Sequence, residues 1–344
     1  MQNGEFDELR QKLARFLSEQ TGCVVEIGEL KRYPVGFSWF TFELDAAWDE
    51  NGKRVDHKLI LRWGPKYGVL APYFAHDQFI ALKALEGSGV PVPKVYWYCD
   101  DSAVLGGNFF IMERVEGEAA LPWTESGGKG AFDESIRPQL GEQFVASLAA
   151  LHNFAWQGTP AAGLAGAAPL DEVGMRQILW WEQYLHERQL SSYPILEHGM
   201  LWLKAHVPKA PRVSIVHGDY RIGNFLVRDA RITAMLDWEL VHLADPYEDL
   251  GWMCMRTWSG RSPLVCHLIS REDLYRRYGE LTGIAVDPAA VRYYEIFGNF
   301  KLAAIHVGAA RSFEDGSADL RMAAMGPQIA RMLLQVERSL EGEL

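Results

Sequence analysis

The spacing of apolar residues changes along the chain, and each change predicts a different element. Phe6, Leu9, Leu13, Phe16 and Leu17 recur at helical spacing, with Gly22 placed to close the helix. Residues 38–48 then read as a strand rich in aromatic and β-favouring side chains. Asn51-Gly52 follows as a hairpin signal, and residues 55–63 form the return strand. On that strand Lys58, Ile60 and Arg62 share one face, because strand side chains alternate with a period of two. A helix is predicted over residues 73–86, ended by Gly87-Ser88-Gly89. Strands over 94–99 and 108–115 follow, with a turn at 100–107 between them.

Residues 116–133 are a loop rich in Gly and small residues, which places the expected lobe boundary between 1–115 and 116–344. Beyond it the period is mainly helical, over 134–154, 172–189 and 195–206, with an Ala/Gly/Pro loop at 157–169. A short β interruption covers 213–236, and helices resume after it. Asp245-Pro246 with Glu248 has the pattern of an N-cap, a first-turn proline and a capping box, and Asp287-Pro288 repeats the first two. Strands gathered first and helices afterwards predict an α+β fold. An N-terminal antiparallel sheet lobe with one inserted helix would be joined to a mainly helical C-terminal lobe. A cleft between two such lobes is a common ligand site.

Composition narrows the function. Of 344 residues, 48% are apolar and 23% charged, the balance of a globular chain. The formal net charge of -11 lacks the basic footprint of a nucleic-acid binder. The first ten residues are polar and acidic, without a signal-peptide pattern, and no run of about 18 apolar residues suggests a membrane span. These features predict a cytoplasmic protein with neither a nucleic-acid nor a membrane partner. Cys23, Cys99, Cys254 and Cys266 form no C-x-x-C or zinc-type spacing and are expected to be buried, reduced thiols.

The chemistry is concentrated in VHGDYRIGNFLVRDARITAMLDWE, residues 216–239. Asp219 and Asn224 lie five apart in a loop containing Gly218 and Gly223. Residues 225–227 and 232–236 read as the strands of a hairpin. A hairpin brings its ends together, so Asn224, before the first strand, should lie beside Asp237, after the second. Mg²⁺ takes oxygen ligands and usually keeps few from protein, the rest coming from phosphates and water. Asn224 and Asp237 supply such oxygens. Asp219 can face an incoming hydroxyl, orient it and accept its proton, the arrangement phosphoryl transfer requires. Any one of these residues alone reads as turn chemistry; the ordered set of three gives the catalytic reading.

His217-Gly218-Asp219 followed by Asn224 resembles the H-G-D-x-x-x-x-N catalytic loop of aminoglycoside phosphotransferases and choline-kinase-like enzymes, and is similar to the corresponding protein-kinase loop. Leu236-Asp237-Trp238-Glu239 resembles that family's metal-binding segment. Asp245-Pro246 with Asp249-Leu250-Gly251 resembles the segment after it. Gly36, Phe37 and Ser38, with Thr41, look like its nucleotide loop, and 110–113 like its hinge. The resemblance implies a protein-kinase-like two-lobed fold, ATP and Mg²⁺ as cofactors, and a small hydroxylated acceptor. It further implies Asp219 as base, Asn224 and Asp237 as metal ligands, and Glu113, Arg114 and Val115 as the adenine-binding hinge. His217, Glu239 and Asp249 would support the site, with Asp249 bracing the catalytic loop.

The chain departs from the family pattern at three positions. Trp39 stands where Asn is common. Arg62 stands where Lys usually contacts phosphate, with Lys58 as the competing cation. Gln78 replaces the carboxylate that usually pairs with it. The departures at Trp39 and Gln78 support a second reading, a non-catalytic nucleotide-binding module. A metal-dependent hydrolase is a third, and it gives no role to the Gly36 loop or the hinge. Trp180, Trp181, Trp202, Trp252 and Trp258 read as packing residues. Asp245 and Glu248 read as helix-capping residues.

Overall fold

Helix α1 (Asn3–Thr21) lays Leu9, Leu13, Phe16 and Leu17 against Phe42, Leu44, Leu59, Leu61, Phe109 and Ile111 of an antiparallel sheet. Burying such a side chain contributes about 1.5–3 kcal/mol, so this one seam orients the whole N-terminal part. The computed structural model describes residues 3–33, 38–119, 132–317 and 319–343. The sheet comprises β1 (Glu26–Tyr33), β2 (Phe40–Glu50), β3 (Lys53–Trp63), β4 (Val95–Cys99) and β5 (Phe109–Glu113), in the order β1-β2-β3-β5-β4. Helix α2 (Ala75–Leu85) covers the other face, which explains why Leu59-Ile60-Leu61 and Phe109-Phe110-Ile111 are apolar on both sides of the strand. Asn51 (φ 54°) and Gly52 (φ 77°) both take the left-handed conformation that the predicted hairpin turn requires.

Two elements here differ from the sequence expectation. Strand β1 was not foreseen: it lies at the sheet edge, and Leu30 is its one buried side chain, so it carries almost no alternating pattern. The expected turn at 100–107 contains a single helical turn, α3 (Ser102–Leu105), capped by the Asp101 side chain.

The C-terminal part is mainly helical: α4 (Arg137–Asn153), α5 (Val173–Arg188), α6 (Pro194–Ala205), α7 (Tyr247–Cys254), α8 (Arg256–Ser259), α9 (Arg271–Thr282), α10 (Pro288–Glu314), α11 (Leu320–Met325) and α12 (Ile329–Leu340). The long α10 is buried on nearly every side and packs on α5, α6, α7 and α12, as expected of a central helix. Short strands β6 (Glu118–Ala119), β8 (Phe225–Arg228) and β9 (Arg231–Met235) form one sheet, and β7 (Ser214–Val216) pairs with β10 (His242–Ala244). Thus the 116–133 segment is not wholly loop, and the β region extends past 236. Both extra strands are two or three residues long, too short to show a period.

Asp287 and Pro288 start α10 as expected, with the Asp287 side chain accepting from the Ala289 amide. Asp245 likewise accepts from the Tyr247 amide at the start of α7. Glu248 does not complete a capping box; its carboxylate turns into the interior, where His242 and Lys301 reach it. Cys254 and Cys266 are buried, whereas Cys23 and Cys99 are partly exposed because they sit at the ends of surface elements; all four are free thiols. Among the described residues no helix is long and apolar enough to cross a membrane.

Candidate active site

The β8–β9 hairpin closes as its sequence predicts. Phe225 pairs with Met235, and the Leu236 amide donates to the Asn224 carbonyl at 2.7 Å, so Asn224 and Asp237 flank the same end. Asp237 itself takes φ 58°, ψ 58°, a conformation a non-glycine residue seldom adopts.

Asp219 is held on both carboxylate oxygens. Its Oδ1 accepts from Trp252 Nε1 (2.7 Å) and Arg221 Nε (2.8 Å), and its Oδ2 accepts from Asn224 Nδ2 (2.6 Å). Asn224 Nδ2 also donates to the Asp219 carbonyl at 3.0 Å. The Asn224 side chain is therefore oriented, and its Oδ1 accepts no hydrogen bond among the described residues. That oxygen and the Asp237 carboxylate form a two-oxygen donor set, suited to a Mg²⁺ whose remaining ligands are phosphate and water. No group of three or more His, Cys, Asp or Glu side chains that could hold a metal occurs among the described residues.

The loop bearing Asp219 is fixed from below. Asp249 is fully buried; it accepts from the His217 amide (2.8 Å), the Gly218 amide (2.9 Å) and His152 Nε2 (3.2 Å). Burial alone would raise its pKa, but its hydrogen bond and charge interaction with His152, together with His217, hold it below the usual carboxylate range. For His217, burial dominates and lowers the pKa against the pull of Asp249 and Asp219. A neutral ring fits its contacts: Nε2 donates to the Leu236 carbonyl at 2.9 Å and Nδ1 accepts from the Asp219 amide at 3.2 Å. Gly218 has φ 79°, and a Cβ there would lie 2.5 Å from the Leu240 carbonyl oxygen, so the loop can pass only with glycine.

On the sheet side, Arg62 rather than Lys58 reaches the site. Arg62 Nη2 lies 2.9 Å from Asp237 Oδ1, and Nη1 donates to Thr41 Oγ1 at 3.0 Å, its direct cross-strand partner. Lys58 is exposed. Gln78 is buried on α2, whereas Arg62 pairs with Thr41 and Asp237. Trp39 packs edge-on against Tyr73 (5.4 Å) and Phe110 (5.9 Å) instead of presenting a polar group. Ser38 lies close to the side chains of Tyr73 and Glu239. Gly36 and Phe37 lie outside the described residues.

Glu239 stands beside Asp237, and burial together with that negative neighbour pushes its pKa up to about 8; its Oε2 is a buried oxygen without a partner among the described residues. At the hinge, the Glu113 and Arg114 amides are spent on the Lys94 and Lys58 carbonyls, and the Arg114 side chain pairs with Glu43. The Val115 amide has no partner among the described residues.

Four contacts escaped the sequence reading, those of Arg221, Trp252, His152 and Lys301. Trp252 was read as packing and touches Asp219. It sits three residues after Asp249 on one helix, so a face directed at the loop by Asp249 carries Trp252 too, a signal that was available. His152 and Lys301 gave no such signal. Lys301, on α10, donates to the Gly218 carbonyl (2.6 Å) and lies 3.2 Å from Glu248, with its ammonium over the Trp252 ring at 4.7 Å.

The model of the phosphotransferase enzyme family matches residues 46–293. The chain belongs to this family, the group that includes aminoglycoside-phosphotransferase-like and choline-kinase-like proteins. Among solved structures, it is similar to a protein described as an aminoglycoside phosphotransferase from Ralstonia eutropha. That match has a TM-score of 0.69 and 25% identity, and covers 96% of this chain and 98% of that one. A ternary complex of the phosphotransferase APH(4)-Ia with AMP-PNP and hygromycin B shares the fold at TM-score 0.58 and 16% identity, covering 95% and 98%. Curated relatives include mouse acyl-CoA dehydrogenase family member 10, 28% identical over 82% of this chain and 27% of its own length. Human acyl-CoA dehydrogenase family member 11 is 26% identical over 87% of this chain and 38% of its own length. The chain thus spans roughly a quarter to two fifths of the curated relatives it matches.

Proposed function

We propose that this phosphotransferase-family chain is an ATP-dependent kinase that transfers the γ-phosphate to a hydroxyl of a small molecule. The observation that carries the reading is the Asp219 carboxylate, oriented by Trp252, Arg221 and Asn224, beside an Asp237 that faces Arg62. In this reading Asp219 orients the acceptor hydroxyl and takes its proton, contributing about 10²–10⁴-fold. Asn224 and Asp237 hold Mg²⁺, which neutralises charge on the phosphates when bound. Arg62 grips phosphate with a guanidinium already fixed by Thr41. Gly36, Phe37 and Ser38 cover the phosphates, and the hinge binds adenine in the cleft between lobes 1–115 and 116–344 through the Val115 amide and the carbonyls of Glu113, Arg114 and Val115, the Glu113 and Arg114 amides being engaged within the sheet. Complexes of related folds with AMP-PNP, and with ATP and streptomycin, support nucleotide use.

For the acceptor, a cavity of about 500 Å³ beside Lys301 is lined by Trp39, Tyr73, Trp180, Trp181 and Tyr184. Its acids (Asp77, Glu187 and Glu239, the last held largely protonated by burial) are no more numerous than its cations (Arg176, Arg188, Lys301). A polycationic aminoglycoside would call for an excess of carboxylates. The aromatic wall, without an excess of negative charge, favours a hydroxylated acyl-type molecule, in keeping with the acyl-CoA names of the curated relatives.

The test is thermal stability with and without Mg·ATP, repeated on Asp237→Ala, since a ligand of the folded state raises apparent stability by mass action. A Mg-dependent upward shift lost in the variant supports the site, and hydroxylated acceptors can then be screened by ATP consumption. No shift at millimolar ATP removes the kinase reading, whereas a shift with no acceptor-dependent turnover moves the non-catalytic nucleotide-binding module ahead.

A further inference from the structure

On the side of α10 that carries Arg292, Glu295 and Asn299 lies a second cavity, of about 520 Å³, bounded by residues 254–265 and by α12. Four guanidinium groups line it (Arg256, Arg271, Arg292 and Arg331) against a single carboxylate, Glu295. That leaves an excess of three positive charges around one hollow, in a chain whose formal net charge is -11.

Glu295 is already engaged by both Arg271 and Arg292. Arg271 also donates to the Cys254 carbonyl, and Arg292 to the Ser339 carbonyl. Arg256 donates to the Ser262 carbonyl at 3.1 Å and Arg331 stands exposed; neither has a carboxylate partner among the described residues. Thr257 and Ser262 add hydroxyls to the wall. Guanidinium forks match phosphate oxygens two at a time, and several around one cavity suit more than one anionic group.

We infer that this cavity is an anion site for a small phosphate-bearing ligand, diphosphate-like in charge. It takes the anion on Arg256 and Arg331, with Arg271 and Arg292 behind them. Trp258, within the 254–265 segment, lies 5.3 Å from Trp252 and under the Arg221 guanidinium at 4.6 Å, and both of those residues donate to Asp219. The anion has two possible sources, the distant end of the acceptor itself or a separate metabolite, and both require the same chemistry.

Inorganic pyrophosphate is the probe, titrated calorimetrically into the full chain at low and high salt. The expected result is saturable binding that weakens at least tenfold when salt rises and is lost in the Arg256→Gln/Arg331→Gln variant. The variant should keep its Mg·ATP thermal shift, because both changes are at exposed side chains away from Asp237. Arg62→Gln, which alters the nucleotide side, should retain the salt-sensitive binding. Absence of binding, or equal binding by the double variant, overturns the proposal, and the result does not depend on whether the chain is a kinase. Basal Mg·ATP hydrolysis then separates the sources: a rate changed by pyrophosphate marks a separate effector, and an unchanged rate marks the seat of an acceptor's anionic end.

Discussion

The Lys301 ammonium donates a 2.6 Å hydrogen bond to the carbonyl oxygen of Gly218, the residue before Asp219, although 83 positions separate the two. Lys301 is also 3.2 Å from Glu248, whose pKa burial would raise but His242 and Lys301 lower. A buried cation thus ties α10 to the loop that carries the candidate base. Lys301→Met removes the charge and leaves Glu248 and the Gly218 carbonyl short of a partner. Breaking a buried pair in this way costs about 3–5 kcal/mol. Denaturant unfolding should show a loss of that order, and Lys301→Met/Glu248→Gln should recover part of it. A variant as stable as the parent would remove Lys301 from any supporting role.

Asp219→Ala should lower ATP-dependent product formation by about 10²-fold or more, the contribution expected of a positioned base. Trp252→Phe deletes one of the two donors to Oδ1 and keeps the ring. Its effect should fall on kcat, by less than Asp219→Ala, with the KM for ATP nearly unchanged. Steady-state kinetics on both variants check the pair, and undiminished turnover in Asp219→Ala would end the assignment.

Arg62→Gln removes the cation facing Asp237 while keeping a side chain able to bond Thr41. The KM for ATP should rise roughly tenfold or more, since hydrogen bonds to charged groups are worth about 1.5–3 kcal/mol. Lys58→Gln, at an exposed position on the same strand, should leave it unchanged. Nucleotide titrations of the two variants decide which cation serves the phosphates.

Asp245 is buried, and burial pushes its pKa up to about 7, against the hydrogen bonds from the Tyr247 amide and the Tyr294 hydroxyl. The unfolded chain releases this proton near pH 4, whereas the folded chain keeps it until about pH 7. In that window the native state binds more protons, so unfolding free energy falls as pH rises. Asp245→Asn, a mimic of the protonated acid that can still cap α7, should flatten this slope and gain stability over the parent by a few kcal/mol at pH 7. Denaturation midpoints from pH 4 to 8 measure it; parallel curves for the two proteins would show that Asp245 ionises freely.

Much of the site was legible because its members are close in sequence. Asp219, Asn224 and Asp237 sit on one loop and one hairpin, and hairpin pairing alone brings the last two together. Gly218 and Asp249 were marked by two successive motifs of the family, and the backbone geometry at Gly218 shows why no other residue fits. The edge strand β1 was missed because it buries little, and β6 and β10 because they are too short to show a period. The reading of Glu248 as a cap failed because local pattern cannot tell which way a carboxylate turns when a distant lysine and histidine compete for it.

The sequence by itself determined the α+β order of elements, the hairpin geometry and the ordered catalytic motif, since periodicity and turn chemistry act over a few residues. Only the tertiary structure decided that Arg62 rather than Lys58 meets Asp237, that Trp252 holds Asp219, and that Lys301 and His152 anchor the loop from beneath. Those contacts join residues tens of positions apart. They depend on how α4, α7 and α10 pack around a buried ionic cluster, where low dielectric makes each unpaired charge costly and so fixes which partners must meet.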